Sequence, residues 1–408
     1  MGSLTASSFS VSLTRPRQAV IVAGGRGTRL GSLTADRPKA MVEVGGRPFL
    51  DNLLELLRDE GFGEVLLLLG YRANVILDHV GDGREWGLTI SAVATDPDDE
   101  TSRRMLAARS KLAEHFLFLY SDNYWPLSMD LLWADYERAG CPAMVTVYRN
   151  LDGYTQSNVR VEDGRVVDYD PTRSHRNLSG VEIGYAILPR DTLDLIDSTE
   201  RPFEKVVYPR LVEADLLAAH ETDHRYYSVG SMERLPLTEA FFARRRLIVL
   251  DRDGVLNRRP PRAEYVQSPE DVEWLPGTLE ALQLLTEAGY RLVVVSNQAG
   301  VARGVMSIHD LEAVQQRMQT DLGSAGVTIE RFYYCTHGWD EGCECRKPRP
   351  GMLYQAQRDF HLDLRRTLFV GDDERDAQAA ETAGCRFAMI DEDHSLLDLA
   401  RELVVAEG

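Results

Sequence analysis

The sequence predicts an α/β protein made of two domains, and three observations support that prediction. The chain has 408 residues, which is more than one hydrophobic core usually holds. Short apolar runs alternate with amphipathic stretches along both halves, as they do in βα units. Near residue 244, three consecutive arginines separate a helical stretch from a new apolar run. We therefore expect a flexible tail over residues 1–17, a first domain over 18–243 and a second over 244–408.

Composition and charge restrict the classes of function. The net charge is −18, which argues against a nucleic-acid partner but is compatible with phosphorylated small molecules as substrates. We find no apolar run of about 18 residues and no secretory signal pattern, so we expect a cytoplasmic protein without a membrane partner. The sequence does not indicate an oligomeric state. Of the five cysteines, three lie close together with a histidine, which in a cytosolic chain indicates a metal site rather than a disulfide.

Individual elements follow from the spacing of apolar residues. Apolar runs of strand length are bounded by polar or glycine-rich turns, and two longer stretches have helical spacing. In the first domain we predict strands at residues 19–23, 65–69, 116–120, 145–148, 159–161 and 166–169, and helices at Phe49–Asp59 and Leu235–Phe242. In the second domain we predict strands at Leu247–Leu250, 291–295 and 367–370.

Polar residues follow each predicted strand of the second domain. Asp251 and Asp253 come after the first strand, Ser296 and Asn297 after the second, and Asp372 after the third. Ligands of open α/β sheets bind at such strand ends, where one carboxylate can attack phosphorus while another transfers protons. Carboxylates there also suit Mg²⁺, and the downstream Lys347 would offset phosphate charge.

These motifs resemble those of the haloacid-dehalogenase-like phosphatases, which have a doubly wound parallel sheet. The likeness is carried by Asp251-x-Asp253-Gly254, Ser296-Asn297-Gln298, Lys347-Pro348 and Gly371-Asp372. It implies that Asp251 is the nucleophile and that Asp253 protonates the leaving oxygen and then activates water. It also implies that Asp251, Asp372 and the backbone carbonyl of Asp253 hold Mg²⁺, while Ser296 and Lys347 bind the phosphoryl group.

A cysteine and histidine cluster directly precedes Lys347. Cys335, His337, Cys343 and Cys345 form a set of four ligands that suits tetrahedral Zn²⁺, and a closed set of four indicates a structural role. With the zinc loop, the segments beginning at Asp251, Ser296 and Cys345 resemble the D-glycero-D-manno-heptose 1,7-bisphosphate phosphatases. By that likeness Asn297 and Arg346 contact the substrate. Histidinol-phosphate phosphatases share the zinc pattern, and residues 258–265 depart from the usual heptose pattern, so the substrate stays open.

The first domain begins with a glycine-rich loop after its first strand. Gly24, Gly25, Gly27, Thr28 and Arg29 follow that strand, and Lys39 comes shortly after. Small residues allow backbone amides to close on phosphates, and the two basic side chains can neutralise a triphosphate. The spacing matches neither a dinucleotide-binding fingerprint nor a P-loop.

This combination resembles the sugar-1-phosphate nucleotidyltransferases, which have a Rossmann-like, GT-A-like mixed sheet. The likeness implies that Asp122 binds Mg²⁺ and that Glu182 and Lys205 contact the sugar phosphate. A sugar 1-phosphate oxygen would then attack the α-phosphorus of an NTP and release pyrophosphate. Ser121, Ser228 and residues 101–105 depart from the usual pattern of the family.

The two resemblances together indicate a bifunctional enzyme of nucleotide-activated heptose biosynthesis. The second domain would remove the C7 phosphate of heptose 1,7-bisphosphate, and the first would add a nucleotide, with GMP favoured, to heptose 1-phosphate. Mg²⁺ would serve both sites and Zn²⁺ the second domain. Two alternatives remain: the first domain acts on another hexose 1-phosphate, or it binds a sugar nucleotide and regulates the phosphatase.

Overall fold

The computed structural model describes residues 14–243, 246–261 and 263–405. The chain divides into two compact units, residues 1–242 and 243–408. Residues 1–13 of the predicted tail and residues 244 and 245 at the predicted junction lie outside the described part. No helix among the described residues has the length and apolar character needed to cross a membrane.

The first unit contains thirteen strands and six α-helices among its described residues. The strands are β1 (Gln18–Ala23), β2 (Glu43–Val44), β3 (Arg47–Pro48), β4 (Glu64–Leu69), β5 (Thr89–Ala94), β6 (His115–Tyr120), β7 (Asn123–Tyr124), β8 (Ala143–Tyr148), β9 (Val159–Glu162), β10 (Arg165–Tyr169), β11 (Val181–Pro189), β12 (Leu217–Thr222) and β13 (Tyr227–Ser228). The helices are α1 (Phe49–Asp59), α2 (Ala73–Val80), α3 (Thr101–Ala108), α4 (Met129–Ala139), α5 (Phe203–Glu213) and α6 (Leu235–Phe242).

Nine of these strands form one mixed sheet in the order β5-β4-β1-β6-β11-β8-β12-β10-β9. β1 lies parallel to β4 and β6, while β11 runs antiparallel to β6 and β8. In β1, Ala19 and Ile21 enter one hydrophobic core and Val20 and Val22 enter the other. Burial on both faces explains why β1 is a continuous apolar run rather than an alternating one.

The second unit is a parallel five-stranded sheet with helices. Its strands are β14 (Leu247–Leu250), β15 (Arg291–Asn297), β16 (Ile329–Cys335), β17 (Leu368–Gly371) and β18 (Arg386–Met389). Its helices are α7 (Thr278–Glu287), α8 (Ile308–Ser324), α9 (Gly351–Phe360), α10 (Glu374–Ala383) and α11 (Leu396–Val405). The strand order is β16-β15-β14-β17-β18, with β14 in the centre. The predicted fold class, a mixed-sheet unit followed by a parallel-sheet unit, is confirmed.

Candidate active sites

The carboxyl ends of three adjacent strands bring the predicted phosphatase residues together. β14 lies between β15 and β17 and is parallel to both. Asp251 therefore follows the central strand, Asp372 follows one neighbour, and Ser296 lies near the end of the other. The backbone amide of Asp251 donates to the carbonyl of Val370 at 2.9 Å, which fixes the first turn after β14.

Lys347 lies at the centre of this cluster and is only 4% exposed. Its Nζ is 2.9 Å from Asp251 Oδ2 and 2.6 Å from Asp376 Oδ1. Burial by itself lowers the pKa of Lys347, but the two carboxylates outweigh that effect and raise it. The lysine is therefore a fixed positive charge beside the predicted nucleophile.

Three carboxylates of this cluster fit a hard divalent cation. Asp251, Asp372 and Asp376 each place one oxygen within 4.8 Å of the others. Asp372 Oδ1 and Asp376 Oδ2 are buried without a hydrogen-bond partner, which leaves ligand atoms uncommitted. Gly254 permits this packing, because a Cβ atom there would lie 1.9 Å from Asp372 Oδ2. Oxygen ligands of this kind are those that Mg²⁺ prefers.

Burial raises the pKa of Asp251 to about 7, although Lys347 acts in the opposite direction. Asp376 and Asp253 add to the rise, since like charges disfavour ionisation. Because this pKa is near neutral pH, the carboxylate of Asp251 depends on nearby cations to stay ionised. The site therefore needs positive charge for Asp251 to act as a nucleophile.

Asp253 has a different environment from Asp251. Burial would raise its pKa, but Arg252, Asn257 and Gln298 outweigh that effect and lower it. Arg252 donates from Nε at 3.1 Å and from Nη2 at 2.9 Å, while Asn257 Nδ2 and Gln298 Nε2 donate at 2.9 and 2.8 Å. The side chain of Asp253 is thus oriented by hydrogen bonds and lies outside the carboxylate group described above. The metal contact expected of its backbone carbonyl stays a prediction.

A cavity of about 930 Å³ opens above these residues. Its lining includes Asp251, Asp253, Ser296 and the two predicted substrate-binding residues, Asn297 and Arg346. Asn297 holds the backbone of Lys347, donating to its carbonyl at 3.0 Å and accepting from its amide at 3.1 Å. Arg346 Nη1 is buried without a hydrogen-bond partner, so it has a donor available at the cavity.

The four predicted zinc ligands lie together in the described structure. The Sγ atoms of Cys335 and Cys345 are each 3.6 Å from that of Cys343. His337 Nδ1 is 3.2 Å from Cys345 Sγ and 3.7 Å from Cys335 Sγ. A tetrahedral zinc ion with bonds of about 2.3 Å would place its sulfur ligands about 3.8 Å apart. The donor set and its spacing therefore fit Zn²⁺.

In the first unit, Lys39 and Asp122 form an ion pair close to the glycine-rich loop. A Cβ atom on Gly27 would lie 3.1 Å from Lys39 Cβ, and one on Gly230 would lie 3.6 Å from Lys39 Nζ and 3.8 Å from Asp122 Oδ2. The backbone amide of Val229 also donates to the carbonyl of Asp122 at 3.0 Å. The structure therefore brings the glycine-rich loop, Lys39, Asp122 and the segment after Ser228 to one place.

Among the other predicted residues of the loop, Gly24 is buried and Gly25 is exposed. Gly24 and Gly25 follow β1, and Gly27 adopts the left-handed region with φ of 68°. Thr28 and Arg29 are exposed. No described contact joins Arg29 to Lys39 or Asp122, so its predicted role in catalysis stays a prediction.

Glu182 lies in a half-buried acidic cluster beside β6. Burial raises its pKa to about 8, although a hydrogen bond of 2.6 Å from the amide of Gly184 lowers it, and Glu204 raises it further. Glu204 accepts a hydrogen bond of 2.5 Å from the hydroxyl of Tyr120. Burial raises the pKa of Glu204, and Lys205, which follows it at the start of α5, reduces that rise.

Four residues of these sites had no assigned role from the sequence. Asp376 belongs to the carboxylate group, Arg252 and Gln298 orient Asp253, and Arg259 forms ion pairs of 2.9 and 2.5 Å with Asp372 and Asp373. Asp376 was visible as the fourth acidic residue after Gly371. The sequence did not indicate these roles for the other three, because their hydrogen-bond and ion-pair partners depend on how the loops meet.

Two family models match separate parts of the chain. One described as nucleotidyl transferase matches residues 18–148, and one described as HAD-hydrolase-like matches residues 344–402. The solved structure of a putative glucose-1-phosphate thymidylyltransferase from Bacillus anthracis has 14% identity and a TM-score of 0.50. It covers 55% of this chain and 94% of that chain, and at this identity the likeness concerns the fold.

Curated relatives match the chain at higher identity. A D-glycero-beta-D-manno-heptose-1,7-bisphosphate 7-phosphatase of Bordetella bronchiseptica is 42% identical over 140 residues, which are 34% of this chain and 77% of that protein. The protein of the same name from Pseudomonas putida is 37% identical over 145 residues, which are 36% of this chain and 82% of that protein.

Proposed function

The chain belongs, through its HAD-hydrolase-like part, to the D-glycero-beta-D-manno-heptose-1,7-bisphosphate 7-phosphatase family, and from that membership we propose its substrates. It is a bifunctional enzyme with a phosphatase unit and a nucleotidyltransferase unit. The phosphatase unit removes the C7 phosphate of D-glycero-D-manno-heptose 1,7-bisphosphate. The nucleotidyltransferase unit then transfers a nucleotide, with GMP favoured, to the resulting heptose 1-phosphate.

The observation that carries the phosphatase assignment is the buried group of Asp251, Lys347 and Asp376 below the cavity. A carboxylate oxygen of Asp251 attacks the phosphorus of the C7 phosphate, and the bond to the sugar oxygen breaks. The negative charge of the bound phosphate raises the pKa of Asp253, and Asp253 in its protonated form gives a proton to that leaving oxygen. It then takes a proton from the water that hydrolyses the aspartyl-phosphate and releases phosphate. Lys347 and Ser296 hold the phosphoryl oxygens.

The metal assignments rest on the donor atoms of each site. We assign Mg²⁺ to Asp251 and Asp372, with the backbone carbonyl of Asp253, and Asp376 lies in the same group. When bound, Mg²⁺ would neutralise phosphoryl charge there. We assign Zn²⁺ to Cys335, His337, Cys343 and Cys345 as a structural ion. All four ligands are protein atoms, which leaves no position for a substrate.

In the nucleotidyltransferase unit, an oxygen of heptose 1-phosphate attacks the α-phosphorus of the NTP and pyrophosphate leaves. The backbone amides of Gly24, Gly25 and Gly27 contact the phosphates, and Lys39 offsets their charge. Asp122 supplies a carboxylate for Mg²⁺, which commonly uses one or two carboxylates together with substrate phosphates. Glu182 and Lys205 contact the sugar phosphate.

The order of the two steps follows from the chemistry of the intermediate. Removal of the C7 phosphate leaves heptose 1-phosphate, which is a sugar 1-phosphate of the kind that nucleotidyltransferases use. The relatives act, by name, on the β-anomer. The preference for GMP is expected for enzymes that use the α-anomer. The anomer and the base therefore have to be tested together.

A second candidate substrate for the first unit is another hexose 1-phosphate, such as that of glucose or mannose. The glycine-rich loop and the Lys39–Asp122 pair belong to the general reaction and do not select the sugar. The assay therefore includes these sugar phosphates beside the heptose compounds.

The test supplies purified full-length protein and Mg²⁺ with each anomer of heptose 1,7-bisphosphate and each NTP in turn, and follows phosphate and pyrophosphate. Phosphate release followed by pyrophosphate release with one NTP supports the proposal and identifies the base and anomer. Phosphate release without pyrophosphate release would mean that only the second unit acts on a heptose phosphate. If neither product forms, the proposed substrates of both units are wrong.

Two substitutions assign each product to one unit. Asp251→Asn should abolish phosphate release and leave pyrophosphate release from heptose 1-phosphate intact. Lys39→Met should abolish pyrophosphate release and leave phosphate release intact. A folded variant that loses both activities would contradict the independence of the two sites.

A further inference from the structure

Arg104 of α3 is a buried cation without a carboxylate hydrogen-bond partner among the described residues. It is only 3% exposed. Arginine is rarely buried unless it is paired, because an unpaired charge in the interior carries a large desolvation cost. Burial lowers the pKa of Arg104, while the nearby acidic residues Asp99, Asp96 and Glu100 raise it. An arginine remains charged under such conditions, so the surrounding structure has to stabilise a buried guanidinium at this position.

The guanidinium of Arg104 joins two loops by four hydrogen bonds. Nη1 donates to the carbonyl of Leu69 at 2.7 Å and to Thr95 Oγ1 at 2.6 Å. Nη2 donates to the carbonyls of Asp96 and Pro97 at 3.0 and 3.2 Å. These acceptors lie at the carboxyl end of β4 and in the loop that follows β5. Only a planar group with several donors can reach all of them at once.

The same guanidinium lies against the glycine-rich loop. A Cβ atom on Gly24 would lie 2.4 Å from Arg104 Cζ, and one on Gly70 would lie 2.4 Å from Arg104 Nη1. The backbone amide of Tyr71 also donates to the carbonyl of Gly24 at 3.1 Å. Glycine is therefore needed at both positions to make room for Arg104, independently of any contact with phosphate.

A second basic residue connects the outer side of the same loops. Arg26 Nη2 is 2.8 Å from Asp98 Oδ1, and its guanidinium carbon lies 5.4 Å from the ring centre of Tyr71. Arg104 and Arg26 thus connect the loops after β1, β4 and β5 at two separate points. These strands are adjacent and parallel, so the loops form one wall at the sheet edge where ligands of such sheets bind.

We propose that Arg104 is a positioning residue for the NTP, because it joins the loops after β4 and β5 and packs against the loop after β1, which presents the backbone amides of Gly24 and Gly25. It acts through those loops and does not touch the substrate. Residues 101–105 depart from the glycine-rich pattern expected of the family. In this proposal they form the helical turn that carries the guanidinium of Arg104. The inference rests on the nucleotidyltransferase activity of the unit and does not depend on which sugar it uses.

The test compares NTP binding by the full-length wild-type protein and by Arg104→Met and Arg104→Lys. Isothermal titration with ATP, CTP, GTP and UTP in Mg²⁺ measures binding without requiring the sugar to be known. Arg109→Met is the matched control, since Arg109 follows the same helix and forms an exposed ion pair of 2.7 Å with Asp194. Phosphate release by the second unit reports whether each variant retains activity there.

For Arg104→Met we expect the dissociation constant of the preferred NTP to rise about tenfold or more, because the loops lose their fixed geometry. Arg104→Lys should restore binding only in part, since one ammonium group cannot reach all four acceptors. Arg109→Met should bind the NTP as the wild type does. A purely structural role would instead lower thermal stability without this selective loss of NTP affinity.

Unchanged NTP affinity in both Arg104 variants would overturn the inference, as would a wild-type protein that binds none of the four NTPs. If the Arg104 variants do not fold, Thr95→Val removes one acceptor and should still weaken NTP binding about threefold. Unchanged affinity in Thr95→Val would then overturn the inference. A wild type that binds an NTP but releases no pyrophosphate with heptose 1-phosphate would refute the proposed sugar alone.

Discussion

Replacing Lys347 with methionine removes the only described cation that contacts both Asp251 and Asp376. Methionine is unbranched and only one atom shorter than lysine, so the change concerns charge more than packing. Removing one partner from a buried ion pair costs about 3–5 kcal/mol, because the remaining charge is left uncompensated. In Lys347→Met two buried carboxylates lose the ammonium group at 2.9 and 2.6 Å. We therefore expect a cost in the upper part of that range at neutral pH.

Part of this cost is relieved when Asp251 binds a proton. The pKa of Asp251 is already raised from 3.8 to about 7 beside Lys347, and loss of the lysine raises it further. The folded variant then holds a proton that the unfolded chain releases above about pH 4, so the free energy of unfolding falls as the pH rises from there. The wild type holds the same proton up to about pH 7, so the stability deficit of the variant should be nearly constant between pH 5 and pH 7 and should grow from pH 7 towards pH 8.

Calorimetric unfolding of the full-length protein measures the stability effect, with Arg401→Met as a control for loss of an exposed ion pair. For a unit of this size, the expected cost lowers the unfolding temperature of the second unit by about 10 °C at pH 8. Phosphate release with saturating Mg²⁺ should fall about a thousand-fold at pH 7, because a buried charge at the phosphoryl site is lost. The residual rate should rise with pH as Asp251 ionises.

Either of two results would refute this reasoning. Phosphate release within tenfold of wild type at pH 7 would mean that Lys347 does not keep Asp251 ionised or offset phosphoryl charge. A stability deficit equal at pH 5 and pH 8 would mean that the cost comes from packing. In that case the buried carboxylates would not be responsible.

Three further predictions concern single side chains. Glu182→Gln should stabilise the first unit by about 1–3 kcal/mol at pH 8 but not at pH 5. The pKa of about 8 means that folded wild-type protein keeps a proton on Glu182 that the unfolded chain loses, and this lowers the stability of the wild type as the pH rises. Calorimetry that shows no such pH dependence would count against burial as the cause of the raised pKa. Cys343→Ser should reduce the zinc content of the purified protein from about one equivalent per chain to a small fraction, whereas Cys385→Ser should leave it unchanged. Metal analysis that finds full zinc content in Cys343→Ser would rule out the assigned ligand set. Arg252→Met should raise the pKa of Asp253, leave its carboxylate less firmly oriented and lower kcat about 10–100-fold; an unchanged kcat would contradict the orienting role of Arg252.

The sequence by itself predicted nine strands and the polar residues that follow several of them, but not β5, β11, β12, β16 or β18. β14 and α1 have the predicted bounds, and β15 extends the predicted strand to Asn297. Each of these elements is encoded by a contiguous run of residues, and strand ends of a parallel sheet gather at one edge whatever the loops do. The cysteine and histidine ligands were equally visible, because all four lie within a short stretch of sequence that begins at the end of β16.

Only the tertiary structure decided which distant side chains meet. Lys347 reaches Asp251 and Asp376 because β14 lies between β15 and β17, an order that no local pattern contains. Arg104 belonged to a segment whose departure from the family pattern had no explanation in the sequence. Its hydrogen bonds to three carbonyls and one hydroxyl could not be predicted from residue types, because backbone carbonyls occur at every position and only the path of the chain places them around one guanidinium.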